Sequence, residues 1–301
     1  MTKHFRKGKI RMRVQRSLGS IAFDAVVYIS LLFMIFAIVY PLYYMAIISV
    51  SNGMNVLRGE VKWFPIGFSL EAYRAILSDP LIARSYINTL LYTTTGTLLN
   101  VAMTALCAYP LSRRRLYGRS FFTVFIIITM LFSGGMIPTY LVVNALGLMN
   151  SIWAIIIPPA INVWYMIIMR TFFQNIPNEM HESAFMDGAN DLSILWRIVL
   201  PLSLPVMATM VMFYAVWHWN SWFPATIYLH ENKLYPVQVI MRSMVMEGGS
   251  AQEADPSRDL KTVQISMRYA IIIITILPII TVYPFIQKYF VQGVMVGSLK
   301  G

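Results

Sequence analysis

His181-Glu182-Ser183-Ala184-Phe185-Met186-Asp187-Gly188, continued to Ile198-Val199-Leu200-Pro201, sits in a polar island spanning residues 174–201 between two apolar runs, 151–169 and 202–223. Crossing a hydrocarbon core of about 30 Å takes about 20 residues of helix. Four more runs of that kind occupy residues 25–50, 86–111, 120–143 and 269–290. All six are continuous rather than alternating, so they read as helices and not as barrel strands. Composition agrees: 57% of the chain is hydrophobic and 12% charged, against about 45–50% and about 25% in soluble globular chains. The predicted fold is an all-α membrane protein, a single domain over residues 1–301 with six transmembrane helices.

The net charge of +11 would point to nucleic acid in a soluble chain, but its distribution says otherwise, and no nucleic-acid partner is expected. Lys3, Arg6, Lys7, Lys9, Arg11, Arg13 and Arg16 fill a basic tail (residues 1–20), and Arg113, Arg114, Arg115 and Arg119 follow the second run. With six alternating spans, Arg170, Arg197, Lys288 and Lys300 join them, facing only Glu179, Glu182, Asp187 and Asp191 in the loops. The positive-inside bias therefore places both termini and the island in the cytoplasm. A basic start ahead of an apolar run also fits a signal peptide, but this run exceeds an h-region of about 7–15 residues and lacks an A-x-A site. An uncleaved first helix is expected.

Several chemistries have no residues to carry them. Cys107 is the single cysteine, so no intrachain disulfide forms, and a small core residue is its reading. His181-Glu182 opens like a zinc-protease motif, but Phe185 stands where a second His is needed; no metal site is expected. Apart from Asp24, no charged side chain lies well inside a span, whereas ion-coupled transporters use intramembrane carboxylates, His or Lys. No G-x-x-x-x-G-K-[ST] phosphate loop is present either. The chain reads as a non-enzyme that draws its energy from another chain.

Outside the spans, residues 51–85 contain Trp63-Phe64-Pro65 and then Ser69-Leu70-Glu71-Ala72-Tyr73, a turn leading to a short amphipathic helix. Residues 225–268 carry Gly248-Gly249-Ser250 and read as a loop. Threonines 89, 93, 94, 95, 97 and 104, with Asn100, make the second span polar enough to bond its neighbours or its own backbone. Gly134-Gly135, Pro138 and Pro158-Pro159 interrupt the third and fourth. Such breaks suit a bundle enclosing a path, and equally a packed bundle with kinks.

Within the island, Pro177 suits a first helical turn, with Asn175 ahead as cap and Glu179 and Glu182 near the positive end of the dipole. Gly188 is the stop. The helix has Met180, Ala184 and Asp187 along one side, with Phe185 close by. A second short helix starts near Asn190-Asp191 and ends against Pro201.

The pattern E-S-A-x3-G-x9-I-x-L-P from Glu182 to Pro201 resembles the E-A-A-x3-G-x9-I-x-L-P coupling loop of ATP-binding-cassette (ABC) importer permeases, with Ser183 replacing the usual Ala. Phe68-Ser69-Leu70-Glu71-Ala72-Tyr73 and Asn88-Thr89-Leu90 resemble maltose-type carbohydrate permeases. So does the ending Q-x5-G-x3-G-x2-K-G through Gln287, Gly293, Gly297 and Lys300. Six spans suit the smaller of two paired permeases, in the branch handling oligomeric sugars. The resemblance implies a type I importer bundle in a bacterial cytoplasmic membrane, working with a second permease, two ATPase subunits and an extracytoplasmic solute-binding protein. ATP and Mg would sit on the ATPases, with no cofactor on this chain. Glu182, Ser183, Ala184, Asp187, Gly188, Ile198, Leu200 and Pro201 would form the coupling loop. In it Glu182 is the polar anchor, Ala184 allows close approach and Gly188 makes the turn. For the tail (residues 291–301), contact with the ATPases and an unattached end are both open.

Sugars are held by aromatic faces beside amides. Asn162, Trp164 and Tyr165 in span four, and Trp217, Trp219, Asn220 and Trp222 in span five, are the candidates; an interfacial Trp belt is the competing reading for the second group. A permease for another solute and a stand-alone secondary transporter or channel remain the alternative functions.

Overall fold

A computed structural model describes residues 18–250 and 258–298, with side chains over 18–246 and 263–284. In chain order the helices are α1 (Leu18–Ser49), α2 (Gly53–Leu57), α3 (Glu71–Ser78), α4 (Pro80–Ser112), α5 (Arg119–Leu131), α6 (Met136–Ala145), α7 (Trp153–Ile156) and α8 (Val163–Gln174). They continue as α9 (Asn178–Met186), α10 (Asp191–Ile194), α11 (Leu200–Leu202), α12 (Leu204–Trp219), α13 (Phe223–Tyr228), α14 (Val237–Ser250) and α15 (Arg258–Ser298). Among the described residues there is no strand; an isolated bridge pairs Ser51 with Phe68.

Helix α4 is the axis of the bundle. It packs on α8 and α12, while α15 ties α12 to α1, α3 and α14. Its polar side chains bond outward as well as to their own backbone. Near its start, Asn88 donates to the carbonyls of Lys233 (2.8 Å) and Tyr235 (3.1 Å), and Tyr92 to that of Leu234 (2.8 Å). Thr89 accepts from the Val237 N–H at 2.8 Å. At the α4–α12 crossing stands Gly96, where an added Cβ would overlap the buried His218 ring. Only a glycine leaves room for that ring against the α4 backbone.

Among the described residues, three helices are long and apolar enough to cross a membrane: α1, α4 and the Val263–Pro284 part of α15. The expected third span is instead α5 and α6 meeting at 112°, bent where Gly134 and Gly135 interrupt the chain. The expected fourth is not one helix but α7 and α8, divided at Pro158 and Pro159, which lack the N–H groups a helix needs. That break is satisfied from inside: Asn100 donates to the Pro159 carbonyl (3.0 Å), and the Tyr214 hydroxyl accepts from the Asn162 N–H (3.0 Å). Protein polar groups thus replace the water that a membrane interior lacks. The fifth is α12, shorter than expected, entered through an 87° bend from the Asp191–Leu202 stretch.

The largest core joins Ala108, Tyr109 and Leu111 of α4, Met166, Met169 and Phe173 of α8, and Val206, Met210 and Tyr214 of α12. Cys107 packs against it, as a small core residue should. Helix α1 takes little part. It is exposed along most of its length, and only Ile47, Ile48 and Ser49 at its end are buried. The predicted turn and amphipathic helix after Trp63 are present as α3, with Ser69 Oγ accepting from the Glu71 N–H at 3.3 Å. The basic tail before residue 18 and Lys300 lie outside the described residues. Gln287, Gly293 and Gly297 fall in the backbone of α15, their side chains outside the description.

Candidate functional site

The island folds as two helical pieces around a glycine turn. Helix α9 starts one residue later than the sequence indicates: Pro177 is the capping residue, and Asn175 closes α8 instead. Gly188 takes φ +80°, a left-handed conformation natural to glycine. Its N–H bonds the Phe185 carbonyl (3.0 Å) while Ala189 N–H reaches back to Ala184 (2.9 Å), the paired closure of a Schellman motif. Asn190 then caps α10 by accepting from the Ser193 N–H at 2.8 Å.

Pro201 explains the next feature. It has no N–H for the Arg197 carbonyl, and its ring would crowd that oxygen in a regular helix. The preceding turn widens into a π-turn over Leu195–Val199, with Leu200 N–H bonding the Leu195 carbonyl. The chain then bends at the buried Ser203, whose N–H bonds Val199 (3.0 Å) and Leu200 (3.1 Å) carbonyls. The I-x-L-P end of the island is an elbow into α12.

The two faces of the island differ sharply. Ala184, Ile194, Leu195 and Val199 are buried in the α4–α8–α12 core, with Ile198 and Leu200 packed against it. The expected place for Ala184, on the approachable surface, is therefore corrected: it is 8% exposed and fastens α9 to the bundle. Glu182, Ser183, Asp187 and Gly188 are exposed. Beside them stand Met186 at 88% and Leu192 at 59% exposure, two residues that sequence reading missed. The signal was available, because Met186 lies one helical turn after Glu182 and so shares its face.

His181 was also missed. It is 1% exposed and faces Tyr109, with ring centroids 6.3 Å apart. Burial, and after it the Arg113 charge, push its imidazole below the usual value, with Asp191 opposing. Tyr109 donates to Asp191 Oδ1 at 3.4 Å, tying the end of α4 to the start of α10. An open groove of about 1060 Å³ runs between these elements, lined by Tyr109, Arg113, Arg115, Glu182, Phe185, Met186 and Asp191 among others. Mixed charge beside exposed apolar side chains is a protein-docking character rather than a catalytic one.

Residues 100–296, which contain the whole island, match the family described as "Binding-protein-dependent transport system inner membrane component". This chain belongs to that family. It is 41% identical over 281 residues to the polygalacturonan/rhamnogalacturonan transport system permease protein YtcP of Bacillus subtilis, covering 93% of this chain and 98% of the relative. Protein LplC of the same organism is 40% identical over 262 residues, 87% of this chain and 89% of LplC. Among solved structures, a chain of a bacterial ABC transporter involved in import of the acidic polysaccharide alginate superposes with a TM-score of 0.84 at 33% identity, covering 91% of this chain and 98% of that one.

In this permease the candidate path residues separate. Asn162 caps α8 by accepting from the Tyr165 N–H at 3.2 Å, and Tyr165 stacks on Phe213 and meets Tyr214 edge-on at 5.0 Å. Both contacts lie beside the proline break. Trp164 is exposed and Trp217 half-exposed. Trp219 is buried, its indole N–H donating to the Thr275 carbonyl at 3.3 Å. Asn220 and Trp222, in contrast, share a cavity of about 580 Å³ with Gln238 and Arg242 of α14.

Proposed function

We propose that this permease is one half of the membrane path of a carbohydrate importer, driven by ATP hydrolysis on partner subunits. The observation that carries the coupling reading is the two-faced island: an exposed rim at Glu182, Ser183, Met186, Asp187 and Gly188 whose back is fixed into the core of α4, α8 and α12. A load applied to that rim by an ATPase moves three bundle helices together, because packed cores transmit displacement rather than absorb it. Ala184, Ile198, Leu200 and Pro201 serve as the inner fastening and the elbow. ATP and Mg belong to two ATPase subunits, a second permease completes the path, and a solute-binding protein delivers the cargo. The tail with Gln287, Gly293, Gly297 and Lys300 is a further contact to the ATPases.

A carbohydrate cargo is supported by YtcP and by the alginate importer chain. A six-span arrangement with cytoplasmic termini is supported by which residues meet. Asn150 bonds Glu231 (2.7 Å) and Asn88 bonds the Lys233 carbonyl (2.8 Å) at one end of the bundle. Tyr109 and Asp191 meet at the other end. The basic loop at 113–119 lies at that second end, with the island.

The test is reconstitution with a partner permease, the ATPases and a binding protein, comparing the native chain with Glu182→Arg and Gly188→Val. Sugar-stimulated ATP hydrolysis is expected to fall about tenfold or more, the effect of losing a charge-assisted contact. Unchanged hydrolysis in both variants would falsify the coupling role. Uptake by the chain alone, driven by an ion gradient, would establish the secondary-transporter alternative.

A further inference from the structure

The cavity shared by α12, α14 and α15 carries a cation that the transport reading leaves unused. The Arg242 guanidinium lies over the Trp222 ring at 3.8 Å from its centroid. Stacking occupies the face of the guanidinium and leaves its in-plane N–H groups free, the edge that takes a carboxylate through two parallel bonds. No acidic residue lines the cavity among the described residues. Two amides also line the cavity: Gln238 Nε2 donates to Asn220 Oδ1 at 3.4 Å, and Asn220 Nδ2 to the Val216 carbonyl at 2.8 Å. The rest of the lining is mostly apolar, from Met45 of α1, Met241 and Val245 of α14 and Ile272 and Ile276 of α15, with Thr275 among them. A volume of about 580 Å³ falls within the range of about 300–1,000 Å³ for small-molecule sites.

We propose that Arg242, oriented by Trp222 and flanked by Asn220 and Gln238, is a subsite for the carboxylate of a uronic-acid unit in the transported carbohydrate. This rests on the carbohydrate reading above and adds the charge of the cargo and the residue that selects it. The apolar lining meets the C–H face of the pyranose, the amides meet its hydroxyls, and the guanidinium edge meets the carboxylate. A cation without a negative partner costs little while water solvates it, and gains most when an anionic sugar displaces that water.

The assembled importer in liposomes provides the test, with galacturonate trisaccharide and its methyl ester as probes and uptake measured below saturation. Arg242→Gln is expected to lower the acid-to-ester uptake ratio about tenfold, the range of one lost charge-assisted bond pair. Arg242→Lys, which keeps the charge but not the two-pronged edge, is expected to recover part of that ratio. An unchanged ratio, whether both probes fall equally or neither falls, overturns the subsite and leaves Arg242 as a packing residue for Trp222. So does uptake of the ester, or of a neutral oligosaccharide, by a native complex that does not take up the acid. If ATP drives uptake of no oligosaccharide at all, the carbohydrate reading falls first and the subsite with it.

Discussion

Gly188 and His181 act on opposite sides of the same short helix. At Gly188 an added Cβ meets nothing within 4 Å, so the cost of a side chain is conformational: about 1–2 kcal/mol for holding an L-residue left-handed. Gly188→Val is therefore expected to loosen the α9–α10 turn without disturbing the core, read as faster hydrogen exchange over residues 178–190 alone. Burial, and after it the Arg113 charge, disfavour protonation of His181, with Asp191 opposing. The folded-state affinity of His181 for protons lies below that of the unfolded chain. Its contribution to stability is thus full above about pH 6.5, the unfolded value, and is lost as pH falls below that. Protection factors in the island, which remove the intrinsic pH dependence of amide exchange, are expected to fall between pH 7 and pH 5.5 in the native chain and to vary less in His181→Gln. Identical pH profiles in the two would remove His181 from this role. The turn at Gly188 was legible because left-handed glycine stops follow from local backbone sterics. The inward face of Ala184 was not, because a nine-residue helix can be rotated either way until its neighbours are known.

Helix breaks decide the shape of the elements. The proline pair in the expected fourth span, the glycine pair in the third and Pro201 in the elbow were all visible as sequence interruptions. The Pro201 elbow follows from local backbone sterics, but the proline pair depends on partners far away in the chain. Asn100 and Tyr214 make the Pro158-Pro159 break tolerable, and nothing local to residues 151–169 announces them. The same holds for Gly96, which reads as one glycine among threonines and proves to be the point where α4 meets His218. Gly96→Val is expected to force the α4–α12 crossing apart at a cost of about 1–3 kcal/mol, as in other overpacked cores. The measurement is thermal unfolding of the detergent-purified complex. Gly96→Ala is expected to show a smaller loss than Val, while equal stability for all three would show that the crossing yields freely.

At the scale of the whole molecule, pairings between distant loops set which ends of the helices lie together. Residues 88, 150, 231 and 233 meet at one end, and Tyr109, His181 and Asp191 at the other. The proposed six-span arrangement follows these pairings: the chain passes from one end to the other along α4, returns through α5 and α6, passes again through α7 and α8, and returns along α12. In that arrangement the bent pair α5–α6 traverses, a reading supported by the bond from Asn150 on its far side to Glu231. Under the six-span arrangement proposed above, α1 and α15 complete an even number of passes, and both termini are expected on the arginine-rich side. Cys107 is the single cysteine, so a Cys107→Ser background permits labelling at chosen exposed positions. With a membrane-impermeant maleimide, cysteines replacing Glu60, Asn144 and Lys233 are expected to react in intact cells. Those replacing Tyr117 and Ser183 are expected to react only after permeabilisation. Labelling at 144 that follows 117 instead of 233 would make α5–α6 a re-entrant hairpin. Labelling of 183 from outside would remove the island from the reach of any cytoplasmic ATPase.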